Sequence, residues 1–126
     1  MIRGIRGATT VHRNDGDEII AETEKLVLQM IEANQLVPEQ VASVLLSVTD
    51  DLNAAFPAKA LRTIEGWAHV PVMCMREIPV PDSLPKCIRV MMTVNVDIPQ
   101  KEVKHIYLRE AVSLRPDFSL TRDENS

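Results

Sequence analysis

Aromatic residues are scarce in this chain of 126 residues, which has one tryptophan, one tyrosine and two phenylalanines. A densely packed core must therefore be built from aliphatic side chains, with help from the six methionines. Hydrophobic residues make up 45 % of the chain and charged residues 25 %, which is ordinary for a globular protein. The length predicts a single domain, residues 1–126, with a sizeable core.

Cysteine is also scarce, and long apolar runs are absent. Cys74 and Cys87 lie inside apolar runs and no CxxC pair occurs, so both are expected to be reduced thiols that pack as small core residues. No apolar run reaches membrane-spanning length, and the first residues have no signal-peptide core. These features predict a cytoplasmic protein with no membrane partner.

Several signatures of common functions are missing. The net charge is −4, and no basic tail or stripe occurs, which argues against nucleic acid as a partner. No GxGxxG or Walker A sequence supports a nucleotide cofactor, and no serine has a nucleophile-elbow context. The three histidines do not stand at metal-ligand spacing. We therefore expect neither a cofactor nor a metal.

The local pattern predicts four strands and two helices. Apolar and β-branched runs indicate the strands, and apolar residues at helical spacing indicate the helices. Segment 100–114 fits a helix and a strand equally well, and 116–126 is predicted to be a mobile tail. This order predicts an α/β (α+β) fold, a mixed sheet with two main helices on one face. The elements are a strand at 2–11, a helix at 15–34, a strand at 42–49, a helix at 57–64, and strands at 70–78 and 86–96.

The last predicted strand carries an unusual charge. Alternation places Arg89 on one face with Cys87, Met91 and Thr93, while the other face is aliphatic. Because both faces are largely apolar, both are expected to be buried, and a buried guanidinium needs an anion. That anion is either a carboxylate of the protein, with Glu77 on a neighbouring strand as the simplest partner, or a ligand.

Two helices cover only one face of a four-stranded sheet. The strand that carries Arg89 is nevertheless apolar on both faces, and a monomer would leave one apolar face in water. We therefore expect a homo-oligomer that buries this face, with sites between subunits.

Four arginines and the single tyrosine suggest the chemistry of the site. Arginine binds carboxylates through two parallel hydrogen bonds. Taken together, these side chains indicate a pocket for a small dicarboxylate. They are Arg6, Arg62, Arg89, Arg115 and Tyr107.

Six segments resemble the monofunctional AroH-class chorismate mutases, in order and without obvious gaps. The resemblance extends from residue 2 to about residue 121. Each motif alone is weak, but all six in a chain of this length are specific. They are RGIRGATT at 3–10, FPAKA at 56–60 with Arg62, VPVMCM at 70–75 followed by Glu77, CIRVMMT at 87–93, HIYL at 105–108 and LRPD at 114–117.

The resemblance implies a fold, an assembly and a reaction. The fold is the ferredoxin-like-related chorismate mutase fold, assembled as a barrel-like homotrimer with three active sites at subunit interfaces. The reaction is the pericyclic [3,3] rearrangement of the substrate chorismate to prephenate, on the route to phenylalanine and tyrosine. It requires no proton transfer and no covalent intermediate, in keeping with the expectation of no cofactor and no metal.

The resemblance also implies residue roles. Arg89 is the main catalytic residue, donating to the ether oxygen and to a substrate carboxylate. Arg6 and Tyr107 hold the side-chain carboxylate. Glu77 accepts from the ring hydroxyl beside the cationic ring fragment, and Cys74 lies near that hydroxyl.

Further substrate-binding residues follow from the same resemblance. They are Phe56, Ala58 and Leu114 as walls, Lys59, Arg62 and Arg115 near the mouth, with Arg115 closing from the mobile tail, and Met73 through its backbone.

Strand geometry sets a condition on this site. In an ideal strand Cys74 and Glu77 face opposite sides, so the strand must end or bulge between them if both line one pocket.

Two alternatives remain open from the sequence. One is an enamine/imine deaminase of the RidA kind on the same architecture, because fold alone does not determine function. The other is a non-catalytic sensor of an aromatic-pathway acid. The combination of Arg6, Glu77, Arg89 and Tyr107 argues against the deaminase. Nothing in the sequence suggests the output domain that a sensor would need, so the mutase is favoured over both.

Overall fold

A five-stranded mixed sheet with one long helix on one face forms the framework of this protein, in a computed structural model that describes residues 1–115. The strand order is β3-β2-β4-β1-β5. β4 is antiparallel to both β1 and β2, whereas β3 is parallel to β2 and β5 is parallel to β1. The predicted tail at 116–126 lies outside the described residues. The elements are β1 (Ile2–Thr10), α1 (Gly16–Asn34), β2 (Val41–Val48), α2 (Lys59–Arg62), β3 (Val72–Arg76), β4 (Cys87–Asn95) and β5 (Ile106–Tyr107), with 3₁₀ turns at Pro38–Gln40, Gln100–Glu102 and Arg109–Leu114.

Helix α1 begins and ends where its local sequence predicts. The Asp15 carboxylate accepts a hydrogen bond from the Glu18 N–H at 3.0 Å and caps the first turn. Gln35 ends the helix in the left-handed conformation, with φ 52°, and its N–H bonds back to the last turn. The apolar stripe of the helix is buried against the sheet, which confirms the predicted amphipathic helix.

The core lies between the sheet and α1 and is almost wholly aliphatic. Ile5, Leu46, Ile88 and Met92 point from β1, β2 and β4 into this core and are at most 1 % exposed. Within residues 1–115, Trp67, 3 % exposed, is the only large aromatic in the buried cluster. The scarcity of aromatic residues is thus met by interdigitated aliphatic and methionine side chains.

The sheet face opposite α1, here called the open face, is left partly uncovered by the described chain. Leu45, Met75 and Met91 on this face are 39, 41 and 39 % exposed, and Met73 is 62 % exposed. The expectation that the helices cover one face only is confirmed. The expectation that Arg89 is buried is wrong for the single chain, because its side chain is 51 % exposed on this face.

Three expectations about connectivity need correction. The sheet has five strands rather than four, because Ile106–Tyr107 adds to the edge of β1. Segment 100–114 is neither one helix nor one strand, but two 3₁₀ turns around that short strand. Glu77 and Arg89 do not come from neighbouring strands, since β2 lies between β3 and β4.

Within residues 1–115, no helix is both long and apolar enough to cross a bilayer.

Candidate active site

One row of sheet positions forms the floor of the site. Ser47 on β2 pairs with Arg89 on β4, Arg89 pairs with Ala8 on β1, and Ala8 pairs with Tyr107 on β5. Side chains of paired residues point to the same face of a sheet. Arg89 and Tyr107 therefore lie on the open face, on the two strands that flank β1, and the small side chain of Ala8 is between them in this row. Arg6 is two positions before Ala8 and lies on the same face.

These side chains line a cavity of about 430 Å³. It brings together five of the predicted site residues, Arg6, Glu77, Arg89, Tyr107 and Leu114. Its walls are otherwise largely apolar, with Leu45, Met75 and Met91 among them. Cationic groups above an apolar lining suit a ligand that has carboxylates on a hydrocarbon body.

Two further polar residues of this cavity, Ser47 and Arg76, were not identified from the sequence. Ser47 stands in a strand pattern that resembles any half-buried strand. The Arg76 guanidinium lies 3.4 Å from the Asp50 carboxylate and forms a surface ion pair with it in the single chain. Only the strand register, which a local pattern does not reveal, shows that both border the site.

Glu77 lies beside Arg89 and is oriented by β2. Arg89 Nε is 3.4 Å from Glu77 Oε2, and Ser47 Oγ donates to the same oxygen at 3.0 Å. The Glu77 N–H donates to the Val48 carbonyl at 2.8 Å, which continues the sheet pairing one residue past β3. The single chain thus forms the ion pair that was one of the two alternatives for Arg89, although the pair spans β2. Because both side chains are well exposed, at 51 and 28 %, solvent weakens this pair and Arg89 stays available to an anionic ligand.

Arg6 and Tyr107 are held together by parallel pairing of β1 with β5. The Leu108 N–H donates to the Ala8 carbonyl at 2.9 Å, and the Arg6 N–H donates to His105 Nδ1 at 2.9 Å. An imidazole nitrogen that accepts carries no proton, so His105 is neutral with its proton on Nε2. Burial, with the nearby Arg6 charge, lowers the pKa of His105 and favours this neutral form.

The two cysteines have different surroundings. Burial raises the pKa of the Cys87 thiol, and the Arg89 charge only partly opposes this. Cys87 is therefore a protonated thiol in the core, in keeping with its predicted packing role. Cys74 is half-buried and faces the helix side of β3, away from Met75 and Glu77. Cys74 and Glu77 thus follow ideal strand alternation and line different cavities.

A second cavity, of about 700 Å³, lies along β3 and the loop before α2. Phe56, Lys59 and Cys74 line it, and it shares Met75 and Arg76 with the first cavity. Phe56 is 70 % exposed. The predicted site residues are therefore divided between two cavities within one chain.

Four predicted site residues line neither cavity. Ala58 packs partly against the core, while the other three are exposed. They are Ala58, Arg62, Met73 and Arg115.

In the part of the chain that the structure describes, no group of three or more His, Cys, Asp or Glu side chains is placed to hold a metal ion.

Comparison with known proteins is specific. A family model described as chorismate mutase type I matches residues 2–118. Chorismate mutase AroH of Bacillus subtilis (strain 168) is 55 % identical over 123 residues, which are 98 % of this chain and 97 % of that protein. Chorismate mutase AroH of Thermus thermophilus is 52 % identical over 119 residues, which are 94 and 97 % of the two chains.

A solved structure agrees with these relatives. Chorismate mutase from Clostridium thermocellum superposes with a TM-score of 0.85 at 54 % identity, covering 87 % of this chain and 97 % of that chain. By sequence and by fold, this chain belongs to the chorismate mutase type I family.

Proposed function

We propose that this protein catalyses the rearrangement of chorismate to prephenate in the cavity lined by Arg6, Glu77, Arg89 and Tyr107. The observation that carries the assignment of the site is the convergence of these four side chains on one cavity of the open face. The reaction belongs to the route to phenylalanine and tyrosine.

The physical task is restraint and charge stabilisation. Chorismate is a flexible dianion that reacts only in a compact, chair-like conformation, so holding that conformation removes an entropic part of the barrier. As the ether C–O bond breaks, negative charge grows on the ether oxygen and positive charge grows on the ring. Fixed donors and a fixed carboxylate stabilise this separation without reorganising during the reaction.

Arg89 supplies the donors for the ether oxygen. It lies on β4, which is hydrogen-bonded on both sides to β1 and β2, so its backbone is among the most constrained of the sheet. Glu77 is closest to its Nε, which leaves the terminal NH₂ groups as the donors assigned to the ether oxygen and to a substrate carboxylate. A planar guanidinium serves both oxygens at once, which an ammonium does not.

Glu77 supplies the opposite charge. Ser47 Oγ donates to its Oε2 at 3.0 Å, and the Ile78 N–H donates to its Oε1 at 3.3 Å. These two bonds orient the carboxylate beside Arg89. We assign it to the ring hydroxyl and to the positive charge that develops on the ring.

Arg6 and Tyr107 bind the side-chain carboxylate. They lie on adjacent strands, β1 and β5, and both border the cavity. A guanidinium and a phenol hydroxyl on neighbouring strands are suited to the two oxygens of one carboxylate. Leu114 and Met75 supply apolar walls around the carbon skeleton.

A second copy of the chain completes the site in this proposal. Phe56, Lys59 and Cys74 line the second cavity, and Ala58, Arg62 and Met73 lie outside the first. The exposed apolar side chains of the open face favour burial against another subunit. We assign the protein to a homotrimer in which these residues of one subunit, together with Arg115, border the cavity of the next.

The test is the loss of the ultraviolet absorbance of chorismate with purified protein and with Arg89→Ala and Arg89→Lys variants. We expect rapid loss with the unchanged protein, and a fall in kcat of about 10²–10³-fold for Arg89→Lys, because one preorganised donor set is removed. Arg13→Lys is the matched control, since Arg13 is an exposed residue of the loop before α1 and should turn over normally.

Three outcomes would contradict the assignment. Near-normal turnover by Arg89→Lys would remove Arg89 from its role. Tight chorismate binding without any turnover by folded protein would favour a sensor, and imine hydrolysis without chorismate turnover would favour a deaminase.

A further inference from the structure

Tyr107 lies at the centre of a short segment, residues 104–110, which is here called the Tyr107 segment. Only two of its residues, Ile106 and Tyr107, pair with β1 as a strand, and so short a strand is weak by itself. We propose that His105 and Arg109 are positioning residues, which hold Tyr107 in the cavity through the Arg6 backbone and through Glu22. The inference rests on the proposed role of Tyr107 in binding substrate.

The first contact lies two residues before Tyr107. His105 Nδ1 accepts the Arg6 N–H at 2.9 Å. This bond extends the pairing of β5 with β1 by one position, using a side-chain acceptor. It joins the Arg6 backbone to the side chain of His105, two residues before Tyr107. The spacing between Arg6 and Tyr107, which are assigned to one substrate carboxylate, therefore depends on an unprotonated Nδ1.

The second contact lies two residues after Tyr107. Arg109 Nε donates to Glu22 Oε1 at 2.9 Å and its Nη2 donates to Glu22 Oε2 at 3.0 Å. Both carboxylate oxygens are therefore engaged in a bidentate pair, which fixes direction as well as distance. The Glu22 side chain is only 9 % exposed on α1, so the pair attaches the segment to a rigid helix.

Arg109 also pays a conformational cost at this point. Its φ is 51°, a left-handed conformation that side chains other than glycine adopt rarely. A residue held in such a conformation is constrained by its surroundings, and here the Glu22 pair is the constraint. Arg109 begins the 3₁₀ turn at Arg109–Leu114, and the end of this turn places Leu114 at the cavity wall.

The helix and the segment match in length. Asn34 at the end of α1 donates to the Lys104 carbonyl and accepts the Lys104 N–H, both at 2.9 Å. The twelve steps from Glu22 to Asn34 rise about 18 Å along the helix, and the five steps from Lys104 to Arg109 would span about 17 Å if fully extended. The segment is thus attached near both ends to one helix, and Tyr107 lies between the two attachment points.

The first experiment separates the effect of the hydrogen-bond acceptor at Nδ1 from the effect of the size of the His105 side chain. In His105→Asn the amide oxygen lies near the position of Nδ1, whereas in His105→Gln it lies near Nε2. We expect His105→Asn to keep kcat/KM for chorismate within about threefold, and His105→Gln to lose about tenfold, mainly through KM, the size of one lost hydrogen bond. In a Tyr107→Phe background the difference between the two variants should disappear.

The second experiment reverses the Arg109 pair. Arg109→Glu places two carboxylates together and should lower kcat/KM by about tenfold or more. The double variant Glu22→Lys with Arg109→Glu restores opposite charges and should recover most of the loss. Lys25→Ala is the control, because Lys25 contacts Glu22 at 3.6 Å without contacting the segment.

Prephenate affinity, measured by calorimetry on the same variants, gives a readout that does not depend on turnover. Failure of the proposed function would appear as no turnover by the unchanged protein. Failure of the positioning role would appear as variants with lower melting temperatures but unchanged KM, kcat and prephenate affinity. Losses of equal size in the Tyr107→Phe background would likewise overturn it.

Discussion

His105 illustrates how one side chain couples protonation to structure. Its Nδ1 accepts the Arg6 N–H, so the folded protein requires the neutral imidazole. Burial, and then the charge of Arg6, lower its pKa below the ordinary value of 6.5. Protonation would remove the acceptor and place a second cation beside the Arg6 guanidinium.

A pH dependence of stability follows from this shift. A group with a lowered folded-state pKa binds more protons when unfolded, so its contribution to stability is complete above pH 6.5 and is lost as the pH falls from 6.5 through the folded-state pKa. We expect the free energy of unfolding to decline over this range more steeply for the unchanged protein than for His105→Asn, which does not titrate. Urea unfolding at a series of pH values measures the difference. Parallel curves for the two proteins would contradict the assigned protonation state.

At the scale of residues, the sequence predicted which side chains share the candidate site better than it predicted how exposed those side chains are. Arg6, Glu77, Arg89 and Tyr107 were chosen by residue type and by resemblance, and the structure brings all four to one cavity. The expectation that Arg89 is buried was wrong for the single chain. An apolar strand face indicates that something packs against it, but not whether the same chain or another chain does so. Ser47 was missed because its importance comes only from pairing with Arg89.

At the scale of elements, the close contact between β1 and α1 depends on Gly7, because glycine has no side chain. A Cβ added at Gly7 would collide with Met30 Sδ and would lie 3.2 Å from Leu26 Cδ1, both on the buried stripe of α1. Gly4 on the same strand differs, since the nearest atom to its added Cβ is Met91 Sδ at 3.4 Å. Neither glycine has a positive φ, so the difference between them is steric.

The expected result is a contrast between two alanine variants. Gly7→Ala should lower the free energy of unfolding by about 1–3 kcal/mol, because α1 must move or Met30 must leave its rotamer. Gly4→Ala should change it by no more than about 0.5 kcal/mol, because its added Cβ makes only ordinary van der Waals contact with the end of the flexible Met91 side chain. Urea unfolding followed by circular dichroism measures both. Equal stabilities would mean that α1 does not pack this closely on β1.

The same scale shows where pattern reading succeeds. The bounds of β1, α1, β2 and β4 agree with the predicted bounds within one or two residues, because alternation and helical spacing are local properties. Segment 100–114 was ambiguous for a physical reason. Its short strand exists only through pairing with β1, and the contacts of Asn34 and Glu22 that hold it come from residues about 70 and 87 positions earlier. Strand order is similarly non-local, so the position of β2 between Glu77 and Arg89 did not follow from the sequence.

At the scale of the whole molecule, two features are incomplete in the single chain, which are the packing of the open face and the grouping of the predicted site residues. Its apolar side chains are exposed in the single chain, with Met73 at 62 % and Met75 at 41 %. The predicted site residues are also divided, with Arg89 in one cavity and Phe56 in the other. The proposed homotrimer would account for both at once, since each subunit would then offer one half of the site to each neighbour.

Complementation between two inactive variants distinguishes a shared site from a site within one chain. Arg89→Ala removes the first half of the site. Lys59→Glu combined with Arg62→Glu reverses two exposed charges of α2 in the second half. We expect each variant to be nearly inactive alone. Random co-assembly after mixed refolding should regain about one quarter of the activity, since that share of interfaces pairs two intact halves.

Two controls measure the mass of the assembly and the activity of a mixture that has not been refolded. Three chains of 14.1 kDa give a particle of about 42 kDa, which light scattering after size-exclusion chromatography resolves from a monomer. Mixing the variants without refolding should restore nothing if the trimer exchanges slowly, which separates co-assembly from simple addition of residual activities. No recovery in refolded trimers of the correct mass would place the whole site within one chain, because every subunit of the mixture would still carry one damaged half.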